Sequence, residues 1–424
     1  MSILIVGCTR DDPGTGTGAC IARTTRFRMA LERAGVQVEV VSPSEGRRGA
    51  KELKELFGSR RWQAAVLISP FPAEAAVLAS PELPLWIDLN GQHPAEVQLH
   101  GKVSNRGWEH TARMLALENQ LLARGDRFST PSRAQADAVL GELYLLGRSF
   151  GEDPSLVPVS ALPHCVMPGW EERFRRRRPR AGLVASTGSF NLWFDHKTLF
   201  DALELAMEES PEVSFVSTGG AIPFSPGRYA DFRRMVRESR HSQRFQLLGW
   251  VSRERLEEVY VSASVAVYAD IPGGETVLGA RTRALDWIGW GIPVACTSGA
   301  EISRDIASLG LGRAVPQGDP QALAEAILEL SLSSKTSSAV ALRQREWCSG
   351  AGGMDHIFAP LVQWCRQPNR LPAARAGRLT VPALDGPAYL GRIWRMVARD
   401  QGIGTATLRI LRRFLPFLRR SRRD

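Results

Sequence analysis

The chain has 424 residues, enough for two or three domains with full apolar cores. Its 44% apolar and 23% charged residues are those of a globular protein, with no uninterrupted apolar run of bilayer-spanning length. The formal charge of +10 suits phosphorylated substrates, anionic lipid or nucleic acid.

Ile3–Val6 reads as a buried strand, with no secretory pattern before it. A Gly/Thr loop follows, then a helix from about Ile21 to Ala34, a stop at Gly35 and an alternating strand Val36–Val41. This βαβ opening carries Gly14, Gly16 and Gly18, but not at GxGxxG spacing. The loop is either backbone that approaches a phosphate or sugar closely, with Gly16 and Gly18 at the contact, or a loose turn. Strands are expected at Ala64–Ile68 and Leu85–Leu89. The polar run from Asp88 to Pro94 then lies at the carboxyl end of a parallel strand, where open α/β sheets bind ligands, which makes Asp88 and His93 site candidates. A helix over about 108–123, strand Phe128–Thr130, a helix over 133–143 capped by Ser132, and strand Leu156–Leu162 complete this half, residues 1–167. Residues 168–180 are rich in Pro and Arg and read as a linker.

The second half, residues 181–343, restarts with strand Gly182–Ser186 and a loop containing Gly188 and Lys197. A helix over 198–207, strand Val213–Thr218 and the Gly219-Gly220 turn follow. Phe245–Leu248, a helix around 256–261 and Val265–Tyr268 lead to the central stretch, YADIPGGETVLGARTRALDWIGWGIPVACT, residues 268–297. Here Glu275 follows a Pro-Gly-Gly turn. Arg281, Thr282 and Arg283 open a helix that contains Asp286, and Gly291-Ile292-Pro293 separates it from strand Val294–Cys296. Arginines beside a helix N-terminus suit a diphosphate, and a carboxylate inside such a helix suits sugar hydroxyls. The alternative is an ordinary βα unit with a solvated charged face. Residues 344–370 read as closing helices. In the tail, 371–424, Arg alternates with Ile, Leu, Trp and Phe at helical spacing, so 388–423 fits either a helix on an anionic membrane surface or one packed on the body. The six cysteines are scattered without a CxxC pair, which favours a reducing compartment and packing roles over a disulfide frame or zinc site. Basic clusters lack interleaved aromatics, which lowers the nucleic-acid reading.

Two doubly wound halves, a central linker and returning helices resemble the GT-B fold of nucleotide-sugar glycosyltransferases. GETVLGARTRALDWIGWGIPV resembles the donor-site signature of bacterial family 4 enzymes found with O-antigen and surface-polysaccharide genes. FNLWFDHKTLFDALELAMEESPEVSFVSTGG and LLARGDRFSTPSRAQADAVLGELYLLGR resemble further elements of the same group. The resemblance covers roughly residues 1–365 and implies the following. Glu275 stands for the first carboxylate of the family's pair, beside the transferred sugar, and Asp286 for the second, on the ribose. The two are eleven positions apart instead of the family's eight, and the second is Asp instead of Glu. Lys197 matches a Lys that neutralises the diphosphate. The companion Arg is replaced by Ser189 or Asn191, which leaves Arg281 or Arg283 to supply its charge. His93 matches an N-domain His near the sugar. Donor binding thus falls to Lys197, Arg281, Thr282, Arg283, Asp286, Gly188, Gly219 and Gly220, with Gly16 and Gly18 opposite, and catalysis to Glu275, His93 and Asp88. The implied activity is retaining transfer to a glycan or lipid-linked acceptor, without metal or other cofactor, by a cytoplasmic protein peripheral to the membrane's inner face. A sugar-nucleotide epimerase and a catalytically silent nucleotide-sugar binder remain open.

Overall fold

The computed structural model describes residues 2–9, 18–44, 46–59, 62–68, 70–79, 82–101, 107–148, 157–222 and 226–371. The calls on Gly16 and on the tail segment 388–423 lie outside these residues. Met1–Leu143 and Phe150–Pro372 form one compact unit, which carries the site.

The unit holds two six-stranded parallel sheets. The first comprises β1 (Ser2–Val6), β2 (Gln37–Val41), β3 (Ala64–Ile68), β4 (Leu85–Asp88), β5 (Arg127–Thr130) and β6 (Val159–Ala161), in the order β2-β1-β3-β4-β5-β6. The second comprises β7 (Leu183–Thr187), β8 (Ser214–Thr218), β9 (Phe245–Leu247), β10 (Val265–Tyr268), β11 (Val294–Thr297) and β12 (Gly312–Val315), in the order β12-β11-β10-β7-β8-β9. The central strands β3, β7, β10 and β11 are buried at every position, as a parallel sheet covered on both faces requires. In the second sheet the chain runs outward from β7 through β8 to β9, then returns to β10 on the other side. The carboxyl ends of β7 and β10 therefore flank the point where the winding reverses, which is where such sheets bind ligands.

The closing helices, Met354–Ile357 and Ala359–Arg366, lie on the first sheet's side. Phe358 meets Phe27 edge-on at 5.0 Å, Trp364 meets Trp86 at 5.5 Å, and Arg33 pairs with Asp355 at 3.0 Å.

Four local readings need correction. The polar stretch after Asp88 does not stay a loop, because a helix, His93–Gly101, begins within it. The last strand of the first half is only Val159–Ala161. The region 168–180 contains a helix, Trp170–Arg176, and is docked: the backbone N–H groups of Arg178 and Arg180 donate to Val261 and Ser262 carbonyls at 2.8 Å. Cys8 and Cys20 form a disulfide, because β1 and the helix Ala19–Arg33 bring their Cα atoms to 5.7 Å; the other four cysteines are free and buried.

Candidate functional site

One wall of the candidate site is built from two loop ends. Gly188 follows β7 with φ 94°, and Gly219 follows β8 with φ 88°. A Cβ on Gly219 would stand 2.2 Å from the Gly188 carbonyl oxygen, so only glycine permits this approach. Phe190 N–H donates to the Gly220 carbonyl at 3.0 Å and ties the two turns together. Over them lies Arg283, with its guanidinium carbon 3.5 Å from where a Gly188 Cβ would sit and 5.4 Å from the Phe194 ring centroid. Its Nη2 donates to the Ser189 carbonyl at 2.7 Å, while Nη1 is buried without a partner among the described residues. Burial depresses the Arg283 pKa, with Asp270 opposing. A half-buried cation with an unused buried donor is poised for an anionic oxygen.

Arg281 is arranged differently. Its Nε meets Asp270 at 2.5 Å, and its two Nη atoms meet the Glu275 oxygens at 3.1 and 2.9 Å. Burial opposes its charge, but Asp270 and Glu275 hold its pKa above the ordinary value. Glu275, on the short helix Gly274–Leu278, is 6% exposed, and burial raises its pKa against the pull of Arg281. Asp270 follows β10 at the winding reversal, a position the sequence reading passed over although a carboxylate at a strand's carboxyl end was the signal used for Asp88. Thr282 and Asp286 lie on the helix Thr282–Ile288. Asp286 Oδ1 accepts from Arg26 Nη2, on the opposite half, at 3.2 Å. Lys197, exposed on the helix His196–Glu209, makes no ion pair among the described residues.

Opposite this wall stands the helix His93–Gly101. Burial pushes the His93 pKa down to about 4, leaving a neutral imidazole. This helix contacts the helix Gly274–Leu278 across the seam, and burial, then the Glu275 carboxylate, pushes Glu96 up to about 8. Asp88 has no exposed surface. Arg23 holds it bidentately at 2.9 and 2.8 Å and Ser129 Oγ donates to it at 2.6 Å, so the structure makes it an anchor beneath the site and not a group open to substrate. Gly18 caps the helix Ala19–Arg33.

Further contacts close the seam. Ser132 Oγ donates to the Leu278 carbonyl at 2.6 Å. Glu301 Oε2 accepts from the N–H groups of Arg133 and Ala134 at 2.7 and 3.2 Å, beside a hollow of about 280 Å³. Arg26 and Glu301 carry no local sequence signal. Among the described residues, no three His, Cys, Asp or Glu side chains group as a metal site.

Two parallel six-stranded units meeting in this way define a GT-B fold. Residues 182–332, the second sheet and its helices, match the family model described as glycosyl transferases group 1. The whole-chain fold is similar to several solved structures. Sucrose-phosphate synthase from Thermosynechococcus elongatus aligns with TM-score 0.62 and 15% identity, over 86% of this chain and 98% of that one. HepE of Anabaena, in complex with UDP and glucose, aligns with TM-score 0.57 and 12% identity, over 86% and 99%. A trehalose-6-phosphate protein of E. coli bound with UDP-2-fluoro glucose aligns with TM-score 0.60 and 12% identity, over 87% and 100%. No curated protein matches the sequence.

Proposed function

We propose that the chain is a retaining glycosyltransferase that moves a sugar from a nucleotide-sugar donor to a glycan or lipid-linked acceptor in surface-polysaccharide assembly, without a bound metal. The observation that carries this is Arg283: its guanidinium lies against Gly188 after β7, beside the winding reversal and inside the matched stretch, and its buried Nη1 has no partner among the described residues. That solved neighbours hold UDP or a UDP sugar supports a nucleotide sugar as the ligand.

In this reading the donor diphosphate lies against the two glycine turns, and Arg283 neutralises it as it departs. Lys197 reaches the same anion when its side chain swings in. Asp286 exchanges Arg26 for ribose hydroxyls. Glu275, held by Arg281, receives hexose hydroxyls, and neutral His93 donates or accepts a hydrogen bond from the acceptor side. The acceptor hydroxyl attacks the oxocarbenium-like carbon from the leaving-group face and passes its proton to the departing phosphate oxygen. The protein contributes alignment and charge placement. The tail 388–423 would hold the enzyme at an anionic inner membrane surface in the cytoplasm.

A thermal-shift screen of nucleotides and nucleotide sugars tests this, since a ligand at 100 times its Kd adds about 2.7 kcal/mol of stability. The best hit then enters a transfer assay with glycan and lipid-linked acceptors. No shift with any nucleotide and no transfer would reject the proposal. Binding without transfer would favour the second reading, a silent nucleotide-sugar binder, which the closed Glu275–Arg281–Asp270 triad also suits.

A further inference from the structure

Behind His93 the first half contains a second polar cluster. Glu118, on the helix Gly107–Arg124, is 5% exposed, and neither of its carboxylate oxygens has a partner among the described residues. Its electrostatic neighbours are Glu142 and Glu96, both of the same sign, and burial together with these two pushes its pKa up to about 8. Gln92, 4% exposed, donates Nε2 to Glu142 Oε1 at 3.2 Å and leaves its own Oε1 unpartnered, as is Glu142 Oε2. Gln135, with no exposed surface, donates to the Leu89 and Gly91 carbonyls at 3.1 and 2.6 Å, and its Oε1 is also buried and free. Among the described residues, five acceptor oxygens thus lack a donor around the loop that leads into the helix His93–Gly101. Glu96, Glu142 and His93, at its edge, are half-buried.

Buried acceptors without donors are rare in folded proteins. A hydroxyl brings a single donor, whereas an ammonium brings three and a positive charge. Burial and mutual repulsion keep protons on Glu118 and Glu96 up to about pH 8, an ammonium would take the place of those protons, and the Arg281 beside Glu96 is already shared by Glu275 and Asp270.

We propose that Glu118, Glu142 and Glu96, with the amide oxygens of Gln92 and Gln135, form a subsite for the ammonium group of an amino-sugar acceptor. Calling this ligand the acceptor rests on the transferase reading; ammonium binding itself does not.

The test is titration of the full chain at one fixed pH with glucosamine, glucose and N-acetylglucosamine, with UDP binding as a separate arm. Glucosamine should raise the melting temperature, and the two sugars without an ammonium should not. Glu118→Gln should weaken glucosamine about tenfold or more while leaving the UDP response unchanged. If that variant does not fold, Glu142→Gln, at a half-buried position, should give the same loss. Equal shifts with glucose and glucosamine, or unchanged glucosamine affinity in a folded variant, would overturn the proposal. Glucosamine binding without any nucleotide response would leave the subsite standing and reject the transferase.

Discussion

Arg281 sits between two carboxylates with 4% of its side chain exposed, whereas Arg283, two positions on, keeps a nitrogen unpartnered. Their substitutions should therefore separate. Arg281→Met leaves Asp270 and Glu275 buried without a counter-charge, and breaking such a pair costs about 3–5 kcal/mol, read as a lower denaturation midpoint. Arg283→Ala should leave folding largely intact and reduce sugar transfer roughly 10²–10³-fold, together with loss of the thermal response to nucleotide. Lysine at 283 should rescue little, since it cannot hold the Ser189 carbonyl and an anion in the same fork. The buried glutamates add a pH signature. Folded Glu96 and Glu118 keep their protons up to about pH 8, against an ordinary value of 4.5. Between those limits the folded state binds more protons than the unfolded one, so these groups make stability fall as pH rises and level off above about 8. Melting curves of wild type and Glu118→Gln across this range should diverge, with the flatter slope in the variant; parallel curves would show that Glu118 titrates normally.

The helix His196–Glu209 is held at its start by Asp195, whose carboxylate accepts from Thr198 N–H at 3.1 Å and Thr198 Oγ1 at 2.7 Å. Asp195→Ala should cost about 1 kcal/mol, measurable by urea unfolding, because it frees a helix-end N–H. Such local rules explain what could be read in advance. The strands β1, β3, β7, β10 and β11 are short apolar runs bounded by turn residues, and the glycines after β7 and β8 mark where backbones approach. The helix His93–Gly101 was hidden because HPAEVQLHG has no apolar stripe, although Pro94 in its first turn is a helix-start signal. The helix Trp170–Arg176 was hidden because arginine and glutamate dominate it, and its docking comes from arginine and backbone hydrogen bonds that no periodicity reports. The candidate site divides in the same way. Arg283 and its glycines follow from one motif and two turns. The partners of Glu275, Asp286 and Asp88 are tertiary facts: Arg26 is 260 positions from Asp286, and only the folded chain shows that these carboxylates already have cations.

Across the seam, the two sheets are joined by a few polar contacts between groups that a ligand would also seek. The helix Arg133–Leu145 begins with N–H groups that have no intrahelical partner, and Glu301 of the other half accepts from two of them. A carboxylate at such a position contributes about 0.3–1 kcal/mol, and a partly exposed ion pair such as Arg26–Asp286 about 0–1. Removing both contacts should shift the balance between closed and open arrangements by roughly 1.4 kcal/mol, which is a tenfold change in the ratio. Each half keeps its own sheet and apolar core, so the double variant Arg26→Ala/Glu301→Ala should unfold at nearly the wild-type denaturant concentration. Small-angle scattering should nevertheless report a larger radius of gyration for it. Adding nucleotide should close much of that gap if the ligand bridges the halves, because it replaces the lost contacts with its own. A variant that scatters like the wild type with and without nucleotide would show that the seam is held by apolar packing, and that Asp286 is not exchanging Arg26 for a ligand.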